Sequence, residues 1–162
     1  MKINLILAIT ATLLFGAGLA TGKDQEMIAE ADLMKMISPS ESAQCFADAM
    51  ESAKTGDPEA QCVVALYYYT GLWRQKDYGA AREWFLKSAY QGYAAAQYNL
   101  CMMYYNGEGV EKDLVESYSW LVRAAENDSE YRRGLKGLAK KLSIVQRMKA
   151  EKRTREIAGK IK

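Results

Sequence analysis

Two stretches of the chain repeat one another 36 residues apart with no slip in register. Ala60 and Gln61 return as Ala96 and Gln97, and Tyr68 returns as Tyr104. Gly71 returns as Gly107, Lys76 and Asp77 as Lys112 and Asp113, Trp84 as Trp120, and Ala89 as Ala125. A period between about 20 and 50 residues with fixed internal landmarks marks a stacked solenoid, in which each unit buries its apolar face against its neighbours. Folds of that kind offer surfaces rather than deep pockets. The spacing therefore constrains function as well as shape.

Within each unit the punctuation is helical. Asp57 and Pro58 read as a cap followed by a first-turn proline, and the helix they open runs to about Thr70 and ends at Gly71. A second helix over about 79–90 carries Trp84, Phe85 and Ala89 and is closed by Gly92. The pattern then recurs as helices over 94–106 and 114–126. Upstream, Ser38, Pro39 and Glu41 form a capping-box start for a helix that Gly56 stops. A further helix is predicted over 24–37, with Met27, Ile28, Leu33, Met34 and Ile37 on its apolar side.

Counting the period backwards finds a worn copy. Gln25 aligns with Gln61 and Gln97, and Ala29 with Ala65 and Cys101. Cys45 aligns with Ala81 and Ser117, and Ala53 with Ala89 and Ala125. Counting forwards fails, because Lys136 and Lys140 fall where Leu100 and Tyr104 call for apolar residues. The resulting layout is a degenerate first unit over 21–57, two full units over 58–93 and 94–129, and basic capping helices over 130–162. Ser143 and Gln146 open the last helix with another capping box. The predicted architecture is a short all-α solenoid of helix hairpins, a right-handed superhelix closed by a C-terminal helix pair.

The run Tyr104-Tyr105-Asn106-Gly107-Glu108-Gly109-Val110-Glu111-Lys112-Asp113, followed by Trp120 and Ala124-Ala125, resembles the Sel-1-like repeat. That family is related to the tetratricopeptide repeat. The first copy departs from the pattern, with Trp73 and Arg74 where the family has Gly and Val, and Cys101 stands where it has Gly. The resemblance implies an α/α superhelix that mediates protein–protein contacts, in exported bacterial members often as an adaptor, regulator or effector-neutralising partner. By analogy with the related repeat, a stripe on each first helix lines the concave face. Here the stripe is Glu59, Cys62, Leu66 and Tyr69, then Ala95, Tyr98, Met102 and Tyr105. Spacings of three and four keep each set on one face, where the side chains either meet a partner or pack against the next turn. The same resemblance assigns Trp84, Trp120, Ala65, Cys101, Gly71, Gly107 and Gly109 to the core and its turns.

The N-terminus reads differently. Lys2 precedes a mostly apolar run from Ile3 to Phe15, and Gly18 and Ala20 fit the small residues of a cleavage site. Residues 1–20 are thus a predicted secretion signal, giving a periplasmic or secreted protein. The alternative, an uncleaved anchor, asks for a spanning helix of about 20 apolar residues, and this run is short for one.

Charge is divided along the chain. Residues 21–130 hold 9 Lys and Arg against 18 Asp and Glu, whereas residues 131–162 hold 12 against 2. The basic last helix, with Ile144, Val145, Met148, Ile157 and Ile161 as its apolar side, either offsets the acidic body or makes weak contact with an anionic membrane surface. Nucleic acid is not an expected partner, because no aromatic residue follows Tyr131 to stack on bases.

Catalytic and ligand chemistry is poorly supplied. Histidine is absent, which removes the commonest general base and metal ligand. No Ser is followed three residues later by Lys, and there is no phosphate-binding Walker loop. The three cysteines have neither zinc-ligand spacing nor a pair placed for a disulfide. The expectation is a monomeric, non-catalytic protein with no metal or cofactor, whose partner is another protein.

Overall fold

The computed structural model describes residues 39–71, 74–128 and 131–161. The predicted secretion signal, the helix expected over 24–37, the Ser38 cap and Trp73 lie outside these residues. Seven helices occupy the described residues: α1 (Pro39–Lys54), α2 (Pro58–Thr70), α3 (Tyr78–Ala89), α4 (Ala94–Asn106), α5 (Leu114–Asn127), α6 (Arg132–Ala139) and α7 (Ile144–Ala158). Helices α2 and α3 form one hairpin and α4 and α5 the next, with α1 against α2 and both α6 and α7 against α5.

The hairpins are set by their ends. Asp57 caps α2 by accepting from the amides of Glu59 at 2.9 Å and Ala60 at 3.4 Å. Gly71 closes it in the left-handed region at φ 70°, and Gly107 closes α4 at φ 80°. A side chain at these points would meet its own carbonyl, so glycine is favoured. Both turns end on the same bond: the Asp77 amide donates to the Tyr68 carbonyl at 2.9 Å, and the Asp113 amide to the Tyr104 carbonyl at 3.0 Å. Asp77 and Asp113 then cap α3 and α5.

Stacking explains the repeated glutamine. Carbonyls in the last turn of a helix have no partner within it. The Gln61 amide donates to the Ala53 carbonyl at the end of α1, at 3.2 Å, and the Gln97 amide to the Ala89 carbonyl at the end of α3, at 3.0 Å. Each unit thus seals the helix end of the one before it. The small residues do the same for packing, since Ala65, Ala81, Ala89, Ala96 and Ser117 have no exposed surface.

Two apolar clusters result. The smaller gathers Ala49, Ala53, Ala60, Val63, Val64 and Tyr67 between α1 and α2. The larger runs from α2 to α7 and includes Phe85, Leu100, Met103, Trp120, Leu138, Leu142 and Ile157. Trp120 is 1% exposed, its ring edge-on to Tyr90 at 5.6 Å. Trp84, assigned to the core with it, is only half-buried: it touches both clusters and has Lys87 Nζ 3.9 Å above its ring. Cys45, aligned with the fully buried Ala81 and Ser117, is also half-buried, because it sits at the edge of the smaller cluster.

The capping pair departs from the predicted apolar side of the last helix. Ala150 and Ile157 are buried, and Ile161 packs toward Gly92, while Ile144, Val145 and Met148 point to solvent. The five residues therefore lie on two faces, not one. What holds the inner face is partly polar. The Ser119 hydroxyl donates to the Ala150 carbonyl at 3.1 Å, and Arg153 pairs with Glu116 at 2.5 Å. The capping box is complete, with the Ser143 amide donating to Gln146 Oε1 at 2.9 Å and the Gln146 amide to Ser143 Oγ at 3.2 Å.

Candidate partner-binding face

The two predicted stripes meet different fates. On α2, Glu59 is exposed, but Cys62 and Leu66 are 1% and 4% exposed and belong to the larger cluster. This corrects the expectation that they line an open surface. In a stack, the side of a first helix that faces onward is covered by the next unit. Tyr93, at the entry to α4, lies beside Cys62 and Glu59, and burial followed by their charges pushes its hydroxyl up to about 12. Burial and the Glu59 carboxylate likewise hold the Cys62 thiol well above its ordinary range.

Tyr69 ends that stripe and is committed to the fold. Its hydroxyl donates to Glu108 Oε2 at 2.5 Å, across the turn after α4, and its ring stands edge-on to Tyr78 at 5.4 Å and Phe85 at 6.2 Å. Burial first, and then the Glu108 bond, raises its ionisation far above the ordinary range for tyrosine.

The second stripe is more open. Ala95, Tyr98, Met102 and Tyr105 are all half-buried on one face of α4. The helix that follows in this direction is α6, which has only eight residues. It packs on α5, and the residues flanking it, Tyr131 and Lys141, meet the two ends of the row. Tyr98 stacks on Tyr131 with centroids 4.8 Å apart. At the other end Lys141 donates to the Tyr105 hydroxyl, with its Nζ 4.7 Å from the ring, and Lys112 Nζ lies 5.3 Å from the same ring. The outcome is a tyrosine–methionine row bordered by cations.

Tyr131 and Lys141 were not among the residues singled out from sequence. Lys141 stands one period after Tyr105, so the spacing contained that signal; the polar Lys136 and Lys140 obscured it. Tyr131 follows Tyr98 by 33 residues and breaks the period, so no spacing argument could find it.

The remaining assigned positions hold the frame. Ala65 and Cys101 are buried at 0% and 3%. Cys101 accepts through its carbonyl from the Ser117 hydroxyl at 2.9 Å, and burial pushes its thiol up to about 11. Gly109, at φ 69°, lets the turn after α4 touch α3: an added Cβ would stand 2.3 Å from Tyr78 Cβ. The three cysteines are free thiols. Among the described residues no group of three or more His, Cys, Asp or Glu side chains could hold a metal ion, and no helix is long and apolar enough to cross a membrane.

Consecutive antiparallel helix pairs, sealed unit to unit by Gln61 and Gln97, define an α-helical hairpin-repeat protein. Residues 58–93 and 94–129 each match the Sel1 repeat. The chain thus carries two consecutive Sel1 repeats. Its fold is also that of a crystal structure described as a protective antigen present in uropathogenic Escherichia coli strains displaying an SLR fold. The two agree over 98% of this chain with a TM-score of 0.67 and 24% sequence identity, and this chain spans 38% of that one. No curated protein sequence matches the chain.

Proposed function

We propose that this Sel1-repeat protein is an exported, non-catalytic scaffold that holds another protein against the α4 face. The observation carrying this reading is the half-open row of Tyr98, Met102 and Tyr105. Tyrosine supplies large contact area with few rotors to immobilise, and methionine adapts to the shape of a partner. A cluster of such anchors with a polar rim is what dominates the energy of protein interfaces. The rim here is Glu108, Lys112 and Lys141. Export is supported by the reading of residues 1–20 as a secretion signal.

The test is a crosslinked pull-down from the envelope fraction, followed by titration calorimetry with the captured protein once purified. Wild type is compared with a Tyr98→Ala, Met102→Ala, Tyr105→Ala variant whose helical content is checked by circular dichroism. The variant should bind at least about tenfold more weakly. Equal affinity in a folded variant would remove the α4 face as the binding surface.

A further inference from the structure

The described residues expose few large apolar side chains, and those few stand together. Ile144, Val145 and Met148 are 78%, 62% and 65% exposed, and no other large hydrophobic residue among the described ones is exposed. All three lie on the first turns of α7. They are not surplus from packing, because the inner face of α7 is filled by Ala150, Ile157 and the Arg153–Glu116 pair. At about 100° per residue, Met148, Lys152 and Arg155 continue the line that Ile144 begins along the outer face. Lys149 flanks that line, and Lys140 lies just before the helix. Lys140, Lys149, Lys152 and Arg155 are exposed, and none of them forms an ion pair among the described residues.

We propose that this outer face of α7 docks on an anionic lipid bilayer, independently of the α4 face. Ile144, Val145 and Met148 enter the boundary between headgroups and acyl chains. Lys140, Lys149, Lys152 and Arg155 meet the headgroup phosphates. The shape fits a planar target: the three apolar side chains stand out from a convex helix and line no groove. The charge fits an anionic one, with only Glu151 and Glu156 to offset the cations on this helix surface. The same charge argues against a second copy of the chain. A symmetric α7–α7 contact would set Lys149, Lys152 and Arg155 against their own images. A short apolar patch alone binds bilayers weakly, and adjacent cations supply the second contribution that makes attachment durable.

Vesicle flotation of the full chain tests this, with phosphatidylcholine vesicles and with phosphatidylcholine–phosphatidylglycerol vesicles. Two variants are run beside wild type, one carrying Ile144→Ser, Val145→Ser and Met148→Ser, the other Lys149→Glu and Lys152→Glu. All five substituted side chains are in solvent, so both variants should keep the helical content of wild type. Wild type should float with the anionic vesicles, less so as salt rises, and only weakly with phosphatidylcholine. Each variant should lose about tenfold or more in partitioning to the anionic vesicles. The Tyr98→Ala, Met102→Ala, Tyr105→Ala variant should float as wild type does, which separates this surface from the α4 face. Failure to float with anionic vesicles, or equal flotation of wild type and both α7 variants, overturns the proposal. So does an outer face that captures an acidic protein while ignoring vesicles.

Discussion

The two repeats share their landmarks but not their environments. Trp120 is sealed at 1% exposure, whereas Trp84, at the same place one unit earlier, is half-buried with Lys87 over its ring. The middle of the first repeat's onward stripe, Cys62 and Leu66, is covered, and the second repeat's stripe is half-open. Both differences go with the neighbours that pack on each repeat. The second repeat has α7 packed along α5, held by Ser119 and Arg153, and it has the short α6 beyond α4. In a stack, the sequence of a unit sets its own hairpin, and its neighbours decide which side of that hairpin water reaches.

The tryptophans give the largest test of that view. Trp120→Ala removes a ring enclosed on all sides and should destabilise the protein by about 3–5 kcal/mol. Trp84→Ala should cost roughly 1–2 kcal/mol, because part of its ring already meets water. Urea unfolding of the two variants measures the gap directly. Equal losses would show that burial at this position belongs to the repeat itself and not to its place in the stack.

The aligned positions Ala65 and Cys101 sharpen the comparison through pH. Cys101 has its thiol raised from an ordinary 9.0 to about 11, chiefly by burial and against a lowering by the Ser117 hydrogen bond. A raised folded value means that the native state holds the proton more tightly than the unfolded chain does. The stabilisation is complete below pH 9 and is lost as pH climbs through about 11. Across that window Cys101 should contribute a loss of roughly 2–3 kcal/mol. Cys62, also raised by burial, adds its own loss in the same direction. Cys101→Ala restores the residue found in the first repeat. Denaturant titrations from pH 8 to about 11 should then show a shallower decline than wild type; an unchanged decline would place the alkaline sensitivity elsewhere.

How much was legible follows from the same division. The hairpins were readable because their signals are local. Asp57 caps, Gly71 and Gly107 terminate, and Ser143 with Gln146 makes a box, each acting within a few residues of itself. The period also set Ala65 and Ala81 among the aligned small positions, and both are fully buried. What the sequence did not disclose was the direction in which a stripe faces. Cys62 and Leu66 have the helical spacing of a surface row, yet the next unit covers them, and periodicity alone cannot separate those cases. The last helix shows the same limit. Ile144, Val145, Met148 and Ile157 are all apolar, but only the docking of α7 on α5 reveals that Ile157 turns inward and the other three outward.

The turn after α4 carries the smallest expected effect, and the cleanest contrast between a repeat's own demands and its neighbour's. Gly107 and Gly109 both have positive φ, at 80° and 69°, so alanine at either is strained by the backbone alone. Around Gly107 an added Cβ would meet only its own turn, with Lys112 Cβ the nearest atom at 3.4 Å. Around Gly109 it would strike Tyr78, a residue of the preceding repeat, at 2.3 Å from its Cβ and 3.3 Å from its backbone carbonyl carbon. Gly107→Ala should therefore cost about 1 kcal/mol, the left-handed penalty. Gly109→Ala should cost about 2 kcal/mol, since overpacking against Tyr78 adds to that penalty. Thermal unfolding of the two variants side by side measures the difference. The position equivalent to Gly109 in the first repeat is Trp73, and one period before Tyr78 stands the smaller Ser42. The demand for glycine at 109 thus comes from Tyr78 in the preceding unit. If Gly109→Ala were no worse than Gly107→Ala, the requirement would be local to the turn and owe nothing to the preceding repeat.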